Sequence, residues 1–400
     1  MTPEAGGADG ALATRVLEHV RGLRAPMLEL LTALARLESP TDRADSQEAV
    51  QALLARALRD AGYRTRRVPG RRYGGCLWAR PAGRRPGRPL QLLVGHSDTV
   101  WPIGTVASMP VREEDGRLHG PGTFDMKAGL TNVVFALRTL SELGLEPPAD
   151  PVVLVNSDEE VGSVESRCLV RRLASRASRA FVLEPALGPE GKLKTARKGV
   201  GTYRIRIRGR AAHAGLDPGA GASAIVELAH VIRALVALDD PASGTTVNVG
   251  VVSGGVRPNV VAAEARAEVD VRVPTAADGE RVDGIIRGLR PTMPGVSLEV
   301  DADLAIPPLE RTPRNVRLWE RARHAGRALG IELDQATVGG GSDGNTTSRY
   351  TATLDGLGAV GDGAHADHEH VRIGPTFDRC ALLVMLLMAP VDESRGEAAP

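Results

Sequence analysis

The stretch Leu90–Val100, LQLLVGHSDTV, decides the fold and opens the question of function. Leu90 to Val94 reads as a buried strand that breaks at Gly95 and then presents His96, Ser97 and Asp98. Ligands of α/β proteins sit at the carboxyl ends of parallel strands. Residues two apart on extended chain also share a face, so His96 and Asp98 are expected to point the same way. Alone, a His-x-Asp is an ordinary polar strand end, and its meaning depends on partners elsewhere in the chain.

Working outward, helical spacing recurs at Leu28, Leu31 and Leu34, and again at Val50, Leu53, Leu54 and Leu58. Strands are expected over 63–68 and 76–79, then through Val94, in PVVLVNSDEE and in AFVLEPA, with a helix carrying Leu130, Val133, Val134, Leu137 and Leu140 between them. Apolar strands alternating with helices predict an α/β domain whose mostly parallel sheet is flanked by helices on both sides. From Lys198 the texture changes. TYRIRIRGR alternates Tyr203, Ile205 and Ile207 with arginines, a strand with one wet face that is expected to lie at an exposed edge. The following order, β-α-β-β-α-β, is that of a ferredoxin-like α+β sandwich. The division expected is therefore 1–197 with 308–400 as one discontinuous domain, and 198–307 inserted in it.

Composition narrows the classes. A chain of 400 residues with 42% hydrophobic and 25% charged residues is globular, and its length calls for more than one domain. No run approaches the roughly 20 apolar residues that span a bilayer, and the N-terminus lacks a signal-peptide core. Fifty basic against 49 acidic residues leave no field to recruit nucleic acid or a membrane surface. Three dispersed cysteines form neither a disulfide framework nor a thiolate metal site, and the expected compartment is the cytoplasm.

At the strand ends and loops of the outer domain stand His96 and Asp98, Asp125 in GTFDMKAG, Glu159 and Glu160 in NSDEEVGS, Glu184 in LEPA, and His365 in GAHADHEH. Imidazole and carboxylate donors without thiolates suit zinc, cobalt or manganese in an open catalytic site. Two such ions about 3.5–4 Å apart need a shared carboxylate, for which Asp125 is a candidate. Ser157 and Ser342 lack the GxSxG setting of a serine nucleophile.

In order along the chain, GHSDTV, HGPGTFDMKAG, NSDEEVGS, LEPA, AAHAG, GGGSDGN and GAHADHEHV resemble the motifs of the di-zinc exopeptidase and deacylase family. That family includes glutamate carboxypeptidase, aminoacylase, acetylornithine deacetylase and succinyl-diaminopimelate desuccinylase. The resemblance runs from about residue 30 to 390 and looks nearest to the glutamate carboxypeptidase branch. It implies two zinc ions per chain, replaceable by cobalt or manganese. His96 and Glu184 would hold one ion and Glu160 and His365 the other, with Asp125 bridging. Asp98 would accept a hydrogen bond from the His96 ring and fix its tautomer. Glu159 would be the general base, and His213 of the inserted lid the oxyanion donor. Arg272 and Asn259 would bind the substrate's free carboxylate, and the Gly340 backbone would let substrate approach closely.

The expected reaction is hydrolysis of an amide that releases an amino acid with a free carboxylate from a small peptide or N-acyl conjugate. An N-acyl-amino-acid deacylase or a dipeptidase is the alternative within the same chemistry. A non-catalytic metal-binding scaffold is the alternative from another class, and the presence of Glu159 argues against it. The resemblance further implies a homodimer formed through the lid, in which the histidine of one chain can serve its partner's site.

Overall fold

The computed structural model describes residues 3–84 and 86–391. It divides into two compact units, Met1–Thr195 with Arg311–Thr337 and Ser342–Pro400, and Ala196–Glu310 with Val338–Gly341. The second unit thus takes in the glycine-rich Val338–Gly341, well beyond the break at 308 read from the sequence.

In the first unit, five strands are β1 (Tyr63–Val68), β2 (Cys76–Pro81), β3 (Leu90–His96), β4 (Asp150–Asn156) and β5 (Ala177–Val182). A short sixth strand, Ala352–Leu354, completes a sheet ordered β1-β2-β4-β3-β5 and then that strand. β3 runs parallel to both β4 and β5, and the sixth strand runs parallel to β5. β1 and β2 add an antiparallel extension. Alternate residues of one strand enter opposite cores. Leu93, Val153 and Phe181 join the large cluster, whereas Leu92, Val94, Leu154 and Ala180 join a second one with Val170 and Ala174 of the helix Arg167–Ala174. Both faces of the sheet are covered, which is why its strands read as nearly unbroken apolar runs.

The helix Ala128–Glu142 is buried on more than the one face expected, including Thr131, Asn132, Ala136 and Thr139. It packs between β3 and the helix Ile373–Met388, so little of it meets water. Gly129 permits the close approach, because a Cβ there would stand 2.2 Å from the Leu183 carbonyl oxygen. Among the described residues no helix is long and apolar enough to cross a membrane.

The second unit contains β6 (Gly199–Arg208), the helix Ala224–Val236, β7 (Thr246–Gly254), β8 (Glu264–Val273), the helix Ala276–Arg287 and β9 (Ser297–Ile306). Its antiparallel sheet is ordered β7-β8-β6-β9. Tyr203, Ile205 and Ile207 pack with Leu228, Val231 and Leu235 of one helix and Val282 and Ile286 of the other. Each helix begins on a hydroxyl cap, Ser223 accepting from Val226 N–H and Thr275 from Asp278 N–H.

One expectation is corrected here. TYRIRIRGR is not an edge: β6 is interior, paired with β8 on one side and β9 on the other. Its arginines mark the wet face of a central strand, where Arg208 pairs with Glu299 at 3.4 Å and Arg204 with Asp301 at 3.9 Å on β9. Alternation reports which face is wet and is silent on whether a strand has neighbours. The edges are β7 and β9, and β7 exposes Val251 and Val252.

Candidate metal centre

His96 is the last residue of β3, the strand flanked by β4 and β5. Three parallel strands therefore end side by side, and each delivers acid or imidazole just beyond its tip. Glu159 and Glu160 follow β4 in a single turn, and Glu184 lies two residues past β5. Ser97 N–H continues the register by donating to the Asn156 carbonyl at 2.8 Å.

The side chains converge. His96 Nε2 is 3.2 Å from Asp125 Oδ1 and 3.5 Å from Glu184 Oε1. His365 Nε2 is 3.5 Å from Asp125 Oδ2 and 3.2 Å from Glu160 Oε2. Asp125 thus presents one oxygen to each imidazole. Ligand-type atoms of His96, Asp125 and Glu160 lie within 4.8 Å of one another, as do those of His96, Glu159 and Glu184. His96 and Glu184 are buried, Glu159 is half-buried, and the His365 side chain is about half exposed. His365 also has a positive φ of 62°, a strained setting for a residue with a side chain.

Asp98 differs from expectation. The acceptor nearest His96 Nδ1 is the Asp98 backbone carbonyl at 2.9 Å, with its carboxylate Oδ1 farther away at 3.4 Å. Because the chain curls at the strand end, the carbonyl is the nearer brace and the carboxylate backs it from 3.4 Å. The carboxylate instead accepts from the Thr41 hydroxyl at 2.8 Å and from Glu159 and Glu160 N–H at 3.4 and 3.3 Å. It anchors the acidic turn.

Two carboxylates that sequence reading overlooked complete the surroundings. Asp343, buried, accepts from Ser163 Oγ and from Asn156 Nδ2, both at 2.7 Å, beneath the turn of Glu159 and Glu160. Glu369, fully buried, accepts from the N–H groups of Phe124 and Asp125 at 2.9 Å. Asp343 was visible as the acid of GGGSD. Glu369 stands among the histidines of HADHEH, where nothing local marks it as buried.

Crowded acids reshape the titrations. Burial pulls the His96 imidazole down, yet Asp125, Asp98 and Glu184 overcome it and hold the ring well above its usual range. Hydrogen bonds to Asp125 and Glu160 raise His365 to about 10. Burial would lift Asp125, but His365 and His96 hold it well below the ordinary carboxylate range. Burial, followed by the Glu184 charge, raises Glu159 well above its ordinary value. Burial also raises Glu160, and it lifts Asp343 to about 6.

The donors fit a divalent cation. They are nitrogen and oxygen only, they carry excess negative charge, and the buried Oε1 of Glu160 has no hydrogen-bond partner among the described residues. A cation would satisfy an oxygen that the protein leaves open.

The remaining predicted residues lie in the second unit. His213 Nδ1 accepts from Gly215 and Leu216 N–H, both at 3.1 Å, so the neutral ring carries its proton on Nε2. The Asn259 carbonyl accepts from Ala214 N–H at 3.0 Å, which joins the Asn259 turn to the His213 segment. Arg272 makes a two-pronged contact with Asp270 at 2.8 and 3.1 Å and reaches the Gly339 carbonyl at 3.5 Å. The Gly340 and Gly341 carbonyls accept from Arg197, so arginines hold all three glycine carbonyls.

Residues 195–290 match a family model described as the peptidase dimerisation domain of M20 peptidases. Carboxypeptidase G2 of a Pseudomonas species is 29% identical over 379 residues, covering 90% of this chain and 88% of that protein. A succinyl-diaminopimelate desuccinylase of Bordetella parapertussis is 27% identical over 81% of this chain and 88% of its own length. An acetylornithine deacetylase of Myxococcus xanthus is 32% identical over 54% of this chain and 57% of its own. Among solved structures, the aminopeptidase PepT of Bacillus cereus superposes with a TM-score of 0.77 at 22% identity, covering 91% of this chain and 98% of that one. A dinuclear metal-binding M20 peptidase of Bacillus subtilis gives 0.66 at 15% identity over 92% and 98%.

Proposed function

On the premise that this chain belongs to the M20 peptidase family, whose members hydrolyse amide bonds, we propose a carboxypeptidase-type reaction that releases an amino acid with a free carboxylate. The substrate is a small peptide or an N-acyl conjugate. Carboxypeptidase G2, similar over 90% of this chain at 29% identity, favours that reading, while a desuccinylase similar over 81% at 27% supports the alternative below.

His96 and Glu184 would hold one zinc ion and Glu160 and His365 the other, with Asp125 available to both. The observation that carries this assignment is Asp125 itself, with one carboxylate oxygen beside each imidazole. When bound, such ions lower the pKa of a coordinated water from 15.7 towards about 7. Glu159, close to His96 and Glu184, takes the proton of the attacking water on its carboxylate and returns it to the leaving nitrogen. Burial, followed by the Glu184 charge, raises its proton affinity above that of an ordinary carboxylate. His213 donates from Nε2 to the developing oxyanion, a role its tautomer supports. Arg272 and Asn259 take the substrate carboxylate beside the open backbone of Gly340. Arg272 pairs with Asp270 through Nε and Nη2, so a substrate carboxylate would have to share or displace that pairing.

The second reading, an N-acyl-amino-acid deacylase, is favoured by the deacetylase and desuccinylase relatives. A homodimer through the second unit is part of the same proposal, supported by the dimerisation-domain match and the exposed valines of the β7 edge. The test is mass-spectrometric screening of zinc-loaded protein against peptides and N-acyl amino acids. Release of C-terminal residues from peptides supports the carboxypeptidase, and turnover of N-acyl amino acids alone supports the deacylase.

A further inference from the structure

Asp125 and His365 belong to separate segments, and one residue serves both. Glu369 Oε1 accepts from Phe124 N–H and Asp125 N–H, while Oε2 accepts from Gly122 N–H at 2.8 Å and Trp101 Nε1 at 2.7 Å. On its own backbone, the carbonyl accepts from Gly120 N–H at 3.2 Å and the N–H donates to Ala366 at 3.0 Å. Glu369 therefore stands where the His365 turn passes into the strand His370–Arg372, and that strand pairs with Arg117–His119 just ahead of the Asp125 turn.

A buried carboxylate costs several kcal/mol unless it is fully satisfied, and apolar replacements of buried charges are often neutral for stability. Here the carboxylate is satisfied by four N–H donors, so it supports the local fold as well as its geometry. It also supplies orientation. The amides of Gly122, Phe124 and Asp125 are gathered on one side chain, the last being the residue that faces both imidazoles.

We infer that Glu369 is a positioning residue of the metal centre. It fixes the backbone from which Asp125 extends its carboxylate, and it ties that backbone to the turn carrying His365. The side chain acts with the backbone pairing of the two segments to set the span between the two halves of the donor cluster. The inference rests on the metal-centre reading proposed above.

The test is zinc affinity by competition with a chromophoric chelator, alongside thermal unfolding of the metal-free protein and kcat and KM at saturating zinc. Glu369→Gln keeps the shape but turns an amide NH2 towards N–H donors, and zinc affinity should fall about 10- to 100-fold. At saturating zinc, kcat should drop while KM changes little. Glu369→Asp keeps the charge but shortens the reach, and should weaken zinc binding while folding normally. Trp101→Phe removes only the indole donor and should leave affinity within a few-fold of the parent. A folded Glu369→Asp or Glu369→Gln protein with parental zinc affinity and kcat would overturn the inference, even if its melting point fell. Should Glu369→Gln not fold, Glu369→Asp decides alone. A parent protein that binds no zinc would instead sink the metal-centre reading.

Discussion

Glu160 Oε2 lies 3.2 Å from His365 Nε2, while the other oxygen of that carboxylate is buried without a hydrogen-bond partner among the described residues. In the metal-free protein the nearest available cation is the imidazole itself. Asp125 and Glu160 accordingly hold its pKa at about 10 against an ordinary 6.5. Zinc must displace that proton, because only neutral imidazole is a ligand. Zinc binding near pH 7.5 should therefore release protons. Calorimetry in buffers of different ionisation enthalpy should give heats that track the buffer, and buffer-independent heats would refute the exchange.

The same shift fixes a pH dependence for the metal-free fold. A pKa raised on folding contributes stability that is complete below about pH 6.5 and is lost as pH rises through about 10. Between pH 7 and 10 the melting temperature of metal-free protein should fall more steeply for the parent than for His365→Ala. Parallel curves would show that the imidazolium contributes nothing.

Glu159→Gln separates base from ligand. The amide cannot accept a proton from water, so kcat should fall about 100- to 10,000-fold with zinc content unchanged. If the variant instead loses its zinc, the roles given to Glu159 and Glu160 are exchanged.

If Arg272 holds the substrate carboxylate as proposed, Arg272→Ala removes a charge-assisted contact of about 1.5–3 kcal/mol, or roughly 10- to 150-fold in KM for substrates with a free carboxylate. Amide-capped substrates should be affected far less. Equal losses for acids and amides would place carboxylate recognition elsewhere.

His213 can be tested by complementation within the proposed homodimer. His213→Ala and Glu159→Gln chains are each expected to be inactive. If the histidine serves the partner's site, a mixed dimer has one site lacking both groups and one intact, and activity should return on subunit exchange. No recovery in verified heterodimers would place His213 in its own chain's site or outside the mechanism.

What could be read from the sequence follows from how local each signal is. The buried run before His96, the alternation of Tyr203, Ile205 and Ile207, and the acids at strand ends are written in adjacent residues. The interior place of β6 was not legible, because alternation reports a wet face and says nothing of neighbours. The split role of Asp98 depends on how the chain curls after β3, which brings a carbonyl rather than a carboxylate to within 2.9 Å of the ring. Glu369 and Asp343 were missed for a related reason. Their donors, Trp101, Gly122, Phe124 and Asp125 for one and Asn156 and Ser163 for the other, are far away in sequence and become neighbours only in the fold.

Zinc titration of metal-stripped protein is the decisive measurement for the proposed metal-dependent hydrolysis at the carboxyl ends of β3, β4 and β5. Hydrolysis of a substrate found by the screen should be absent at the start, rise with added zinc and level off near two equivalents per chain. Full activity in the stripped protein, with no response to zinc, would contradict a metal-dependent reaction at this site.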